Sequence, residues 1–246
     1  MTVVLVALSA LLAATVQATA GLGFALIVTP VLFLVMAPAG AIVSATVLGI
    51  LLNLLVLFAE SRRPAPVWAE VLPVLAAAIP GAVCGVVLLA SLSRPVLQLV
   101  VGAMVIAAGL MRMRTRTRIR PHRRRATSRL VLGCTVGALS TSTGINGPPL
   151  ALWLAGAGLS PAQVRDSLSS AFLGIGVIAT LTVLPLVGQA RIGAGVIAGA
   201  AAGVLAGHAI GSRLFKRLPV ARYQGLLVLI IVAAGTVSVV AGATAL

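Results

Sequence analysis

Residues 3–59 read VVLVALSALLAATVQATAGLGFALIVTPVLFLVMAPAGAIVSATVLGILLNLLVLFA and contain no charged residue. A helix that crosses a bilayer needs about 20 apolar residues, so this one stretch is long enough for more than two. Gly21-Leu22-Gly23, Thr29-Pro30 and Ala37-Pro38-Ala39 punctuate it, which suits short segments broken at Gly and Pro. Other charge-free blocks cover 71–93, 95–111, 130–164, 167–190, 192–212 and 224–246.

The composition agrees. Of 246 residues, 60% are hydrophobic and 9% charged, with a mean hydropathy of +1.18. A water-facing surface needs roughly 25% charged residues, so the apolar surface here must face lipid. Membrane barrels alternate apolar with polar residues, and these blocks do not. The expected fold is an all-α, polytopic membrane helical bundle in the inner (plasma) membrane. The N-terminal stretch ending in Val16-Gln17-Ala18-Thr19-Ala20 resembles a signal peptide. It lacks a basic start, since the first Lys or Arg is Arg62, and it is read as a retained first membrane segment.

The net charge of +15 is concentrated. Nine of the 18 basic residues lie between Arg112 and Arg129, in RMRTRTRIRPHRRRATSR. That run reads as a cytoplasmic loop under the positive-inside rule, in contact with anionic headgroups. Without an aromatic residue for base stacking it is not read as a nucleic-acid site. Cys84 and Cys134 sit in apolar blocks and are read as packing residues. No His, Cys or carboxylate cluster has metal-ligand spacing, and no nucleophile–base pair is apparent. No enzyme activity, cofactor or metal is expected.

The two halves of the chain resemble each other. Gly21-Leu22-Gly23 answers Gly144-Ile145-Asn146, Ala37-Pro38-Ala39 answers Ser160-Pro161-Ala162 and Ser44 answers Ser167, all 123 residues apart. Gly81 and Gly85 answer Gly203 and Gly207 at 122. Gln98 and Ile106-Ala107-Ala108-Gly109 answer Gln224 and Val232-Ala233-Ala234-Gly235 at 126. The expected domains are a first membrane repeat over 1–111, a basic cytoplasmic linker over 112–129 and a second repeat over 130–246. Four spans per half would make the repeats parallel and put 12 basic residues inside and 6 outside. An odd number of crossings per half makes them inverted and puts 15 inside, with Arg94, Arg165 and Arg191 outside. Charge favours the inverted arrangement, of about five segments each, a transporter architecture.

The stretch LSTSTGINGPPL, residues 139–150, sets four hydroxyl residues, two Gly, an Asn and two Pro inside an apolar block. Pro cannot continue an upstream helix but fits the first turn of a new one. One helix is expected to end near 142–144 and another to begin near 147–148, close to the bilayer midplane. The free N–H groups and positive dipole end of the second would suit an anion. Its counterpart is Gln17-Ala18-Thr19-Ala20-Gly21-Leu22-Gly23-Phe24, followed by Thr29-Pro30. Two such breaks facing each other would form one site. The residues expected to bind substrate are Ser142, Thr143, Gly144, Asn146, Gly147 and Pro148 from the second break, and Gln17, Thr19, Gly21 and Gly23 from the first. Arg165 is added as an anion-recruiting group at the outer mouth. The acidic residues are only Glu60, Glu70 and Asp166. That scarcity suits an anion carrier, because a buried carboxylate would repel the substrate. His208, inside an apolar block, is a packing His or a coupling group.

The pattern GLGFALIVTPVL near the start, GINGPPLALWL after the basic linker and the approximate duplication resemble the TauE/SafE sulfite-exporter family. The resemblance implies a transporter of small sulfur-containing anions such as sulfite, sulfoacetate and taurine-like organosulfonates, with some members moving other organic acids. Where the family's first motif carries a Gly pair, this chain has Phe24-Ala25, so the two half-sites are not expected to be equal. The expected function is a secondary transporter of a small anion by alternating access. The alternatives are an anion channel and a carrier of small carboxylates. The expected partners are that anion and the lipid bilayer, with no nucleic acid.

Overall fold

The computed structural model describes residues 2–59, 63–114, 126–155, 157–187, 193–215, 236, 239–240 and 243–244. These residues form nine α-helices: α1 (Thr2–Ala20), α2 (Phe24–Val35), α3 (Pro38–Phe58), α4 (Trp68–Ser91), α5 (Arg94–Arg114), α6 (Ala126–Thr143), α7 (Gly147–Ala155), α8 (Pro161–Val183) and α9 (Ala194–Phe215). A 3₁₀ turn, Leu184–Leu186, ends α8. Five stretches, in α1, α3, α4, α8 with its 3₁₀ turn and α9, are long and apolar enough to cross a membrane. Large apolar side chains such as Leu8, Leu72, Val83, Val87, Leu181 and Leu205 remain exposed on these helices, as expected of surfaces solvated by lipid tails.

Local sequence sets the boundaries. Pro38 and Pro161 open α3 and α8 in their first turns, where the missing N–H costs nothing. Ser160 caps α8 by accepting from the Gln163 N–H, while the Gln163 side chain accepts from the Ser160 N–H, a reciprocal capping box. Helices α1 and α6 end alike. Gly21 and Gly144, 123 residues apart, take left-handed conformations with φ of +76° and +73°. Their N–H groups close onto the Gln17 and Ser140 carbonyls at 2.8 and 3.1 Å. Gly adopts that conformation without penalty and so ends a helix.

Two helix pairs pack most closely, α1 along α9 and α4 along α6. Glycines make this close approach possible. A Cβ at Gly81 would collide with the Cys134 carbonyl, and one at Gly85 with Ala138 and Thr141. In the other pair, a Cβ at Gly207 would collide with the Leu11 carbonyl, and one at Gly211 with Thr15 and Ala18. Leu11, Thr15 and Ala18 precede Cys134, Ala138 and Thr141 by 123 residues. The packing therefore matches Gly81 and Gly85 to Gly207 and Gly211, 126 residues on. The 122-residue match to Gly203 and Gly207 is corrected by one helical turn; glycines spaced four apart along α9 make both registers look alike in sequence.

The contacts also fix directions. Val3, Ala7, Leu11 and Thr15 meet Gly199, Gly203, Gly207 and Gly211 in order, so α1 and α9 run the same way. Val74, Ala78 and Gly85 meet Gly133, Gly137 and Ala138, so α4 and α6 do too. Ile50 packs on Gly176 and the Thr46 hydroxyl meets that of Thr180 at 2.9 Å, so α3 and α8 are antiparallel. The Ala65 N–H donates to Asp166 Oδ2 at 2.8 Å and Gly174 packs on Leu75, so α8 follows α4. At one end of the bundle lie the starts of α4, α6 and α8, here called the linker end. Trp153, near the end of α7, donates its indole N–H to Glu70 Oε2 at 2.9 Å, so α6 and α7 form a hairpin that enters and leaves at the linker end. Helices α1 and α2 form a hairpin opening to the opposite end, where α3 and α9 begin.

Candidate substrate site

The tips of the two hairpins meet between α3 and α8. There they enclose a cavity of about 50 Å³ lined by Gln17, Gly23, Phe24, Ala25 and Leu26 from the first hairpin and Ser140, Gly144, Asn146 and Gly147 from the second. Ala45, Thr46, Gly49 and Asn53 of α3 and Phe172 and Gly176 of α8 complete the wall. Among the described residues no charged side chain lines it.

Its polar groups are organised by a short chain of hydrogen bonds. Gln17, 4% exposed, donates through Nε2 to Asn53 Oδ1 at 2.9 Å and accepts the Phe24 N–H at its Oε1 at 3.1 Å. Asn53 donates to the Gly49 carbonyl at 2.7 Å. Gln17 thus ties the end of α1 to the start of α2 and to α3. A helix start leaves four N–H groups without intrahelical partners. Gln17 takes that of Phe24, and those of Gly23, Ala25 and Leu26 belong to cavity-wall residues, with no side-chain cap from Gly23. On the other hairpin, Asn146 donates through Nδ2 to Ser140 Oγ at 3.2 Å.

The two helix starts are unequal. Of the four leading positions of α7, Asn146, Gly147, Pro148 and Pro149, the two prolines have no N–H. Helix α2 presents the fuller set of donors, and the α7 side contributes the Asn146 amide and the Ser140 hydroxyl.

Of the residues expected from sequence, Gln17, Gly23, Gly144, Asn146 and Gly147 line the cavity. Thr19, Gly21, Ser142, Thr143 and Pro148 stand behind the wall. Thr19 returns its hydroxyl to the Thr15 and Val16 carbonyls. Ser142 and Thr143 return theirs to Ala138 and Leu139. Gly21 shapes the turn after α1, and Pro148 stands in the first turn of α7. Arg165 is not among the residues that line the cavity. It is 6% exposed, packs its Cγ 3.6 Å from the Cβ position of Gly21 and precedes Asp166, which binds the segment before α4 at the linker end. The first turns of α8 carry it to the end that holds Arg63, not away from it. Asn53 and Thr46 were missed, although a lone Asn in Leu51-Leu52-Asn53-Leu54-Leu55 is itself a signal that an apolar helix passes a polar site.

His208 is buried in α9, away from the cavity wall. Among the described residues no group of three or more His, Cys, Asp or Glu is placed to hold a metal ion. Glu60 and most of the Arg112–Arg129 run lie outside the described residues; α5 continues to Arg114 and α6 begins at Ala126.

A bundle of apolar helices, with two interrupted pairs converging on a small cavity, is an architecture found in membrane transporters. A family model, sulfite exporter TauE/SafE, matches residues 6–237. The chain belongs to the TauE/SafE sulfite exporter family. No curated protein and no solved structure matches it significantly.

Proposed function

We propose that this chain is a secondary carrier of a small sulfur oxyanion or organosulfonate, such as sulfite, working by alternating access. The observation that carries this reading is the convergence of both helix breaks on one cavity. An anion there faces the positive end of α2 and the amides of Gly23, Ala25 and Leu26, with Asn146 and Ser140 opposite. A cavity of about 50 Å³ favours a small anion such as sulfite. Larger sulfonates need a wider state of the cavity.

In this reading residues 1–111 and 130–246 are inverted repeats joined by the linker. Hairpins α1–α2 and α6–α7 correspond, as do α3 with α8 and α4 with α9. Most of the fifth segment of the second repeat lies outside the described residues. Arg165 moves to the linker side, so the basic tally of the sequence becomes 16 against 2, which fits a cytoplasmic linker better still. The cavity lies near the bilayer midplane, and the two hairpins, opening to opposite ends, take turns as its barrier.

Protein reconstituted in liposomes tests this. A carrier gives saturable uptake of labelled sulfite, accelerated by unlabelled sulfite on the opposite side. Unitary currents without that acceleration refute the carrier and favour a channel.

A further inference from the structure

The last turn of α6 is Ser140-Thr141-Ser142-Thr143, all four buried. Thr141 donates its hydroxyl to the Ala82 carbonyl at 2.9 Å, and Ser142 and Thr143 donate to Ala138 and Leu139, each at 2.7 Å. A hydroxyl has one hydrogen, so these oxygens keep only lone pairs to offer. Among the described residues, of the four carbonyls 140–143 only that of Ser140 accepts a backbone N–H outside the helix, from Gly144. The helix dipole adds partial negative charge at this end. The place is rich in oxygen, with one lone pair of Thr143 Oγ1 already taken by the Ile145 N–H.

Thr29 of α2 packs against it. Its side chain is wholly buried, and Oγ1 has no hydrogen-bond partner. Oγ1 lies 3.1 Å from the Cβ position of Gly144, the residue that follows Thr143 and lines the cavity. An unpartnered buried hydroxyl costs free energy and calls for a ligand. The matching end of α1 is furnished differently. There the Cγ and backbone of Arg165 pack beside Gly21.

We propose that the end of α6, with the Thr29 hydroxyl and the carbonyls of residues 141–143, binds Na⁺ as the coupling ion of the carrier. Hard cations take oxygen ligands, and half-helix C-termini with unwound carbonyls hold Na⁺ in transporters. Among the described residues no carboxylate lines the cavity beside Gly144, which argues against a divalent ion, since those sites rely on carboxylates. The bound cation adjoins the anion cavity through Gly144 and offsets the anion's charge. The coupling role rests on the carrier reading; the site itself does not.

Thermal unfolding of the purified full-length protein tests the site, in chloride salts of Na⁺, K⁺ and N-methylglucamine at equal ionic strength. Na⁺ should raise Tm saturably, as a ligand of the folded state does, and the other cations should not. Thr29→Val should lose the Na⁺ shift, and its Tm without Na⁺ should equal or exceed that of the parent, because the unpartnered hydroxyl is gone. Thr29→Ser, which keeps the hydroxyl, should retain the shift, so a misfolded Val variant does not end the test. Equal Tm in Na⁺ and K⁺, or an undiminished shift in Thr29→Val, overturns the site. Coupling predicts sulfite affinity roughly 5- to 150-fold weaker without Na⁺. Sulfite counterflow indifferent to Na⁺ overturns the coupling and leaves the carrier standing. A Na⁺ shift without any counterflow supports the site and removes the carrier.

Discussion

Gln17 and Asn53 join side-chain amides at 2.9 Å, the Nε2 of one on the Oδ1 of the other, at the wall of the cavity. The same Gln17 holds the first N–H of α2, so α3 controls where α2 begins and where its free amides point. Replacing Asn53 by Leu leaves a buried amide unpaired, at a cost of about 1–3 kcal/mol. Gln17→Leu should cost a similar amount and also uncap Phe24. The double variant should lose less than the sum, by 0.5 kcal/mol or more, because paired residues are not additive. Thermal unfolding of the four proteins checks this; strict additivity would show that the two amides act separately.

Asn146 and Ser140 face the cavity from the second hairpin. Losing a hydrogen bond to a charged group costs about 1.5–3 kcal/mol, or roughly 10- to 150-fold in affinity. Asn146→Ala and Ser140→Ala should each weaken sulfite binding by that order and leave the fold intact, as titration calorimetry would read. Thr143→Val should act differently. Its hydroxyl bonds the Leu139 carbonyl and receives the Ile145 N–H, so stability should fall more than affinity.

Much of the fold is legible in the sequence. Charge-free length marks membrane helices, and the Gly and Pro punctuation at 21–23 and 144–149 coincides with the gaps between α1 and α2 and between α6 and α7. The glycine register was not legible, because Gly199, Gly203, Gly207 and Gly211 repeat every helical turn and only contacts choose among them. The site was legible in part. Hydroxyls at 142 and 143 look like ligands in a string, but in a helix they return to carbonyls one turn back. Asn53 and Thr46 were hidden because they lie far from the breaks in sequence. That Arg165 shares an end with the start of α4 was not legible, because a sequence does not reveal that a hairpin returns to its own end.

The close helix pairs give a steric prediction. Gly81→Ala and Gly207→Ala each place a methyl group into a facing backbone carbonyl, and overpacking of this kind costs about 1–3 kcal/mol. Gly195→Ala meets nothing within 4 Å and should be neutral or mildly stabilising, since Ala is the better helix former. Unfolding temperatures in detergent compare the three directly.

Glu70 ties three helices at the linker end. Arg129 of α6 pairs with it through Nη2 at 2.9 Å and Nε at 3.3 Å, and Trp153 of α7 adds its indole N–H. Glu70→Leu should destabilise by on the order of 1–3 kcal/mol, because Trp153 and Arg129 both lose their acceptor. Glu70→Gln keeps an acceptor for Trp153 and should cost less. The stability of the parent protein should also depend on salt more than that of Glu70→Leu.

Orientation is tested by single cysteines in a background with Cys84 and Cys134 replaced by Ala. The exposed positions Thr127 and Ser160 should label from the same side as each other, and Ser93 from the opposite side. Labelling of Ser160 and Ser93 together would return Arg165 to the outer face and undo the hairpin assignment.

The position of the bound anion tests the central claim most directly. Selenite shares the charge and pyramidal shape of sulfite, and its selenium scatters anomalously. Crystals grown with selenite should show one anomalous peak between the first turn of α2 and Asn146, within hydrogen-bond reach of the Ala25 or Leu26 amide. A peak confined to the basic surface at the linker end, with the cavity empty, would contradict the account.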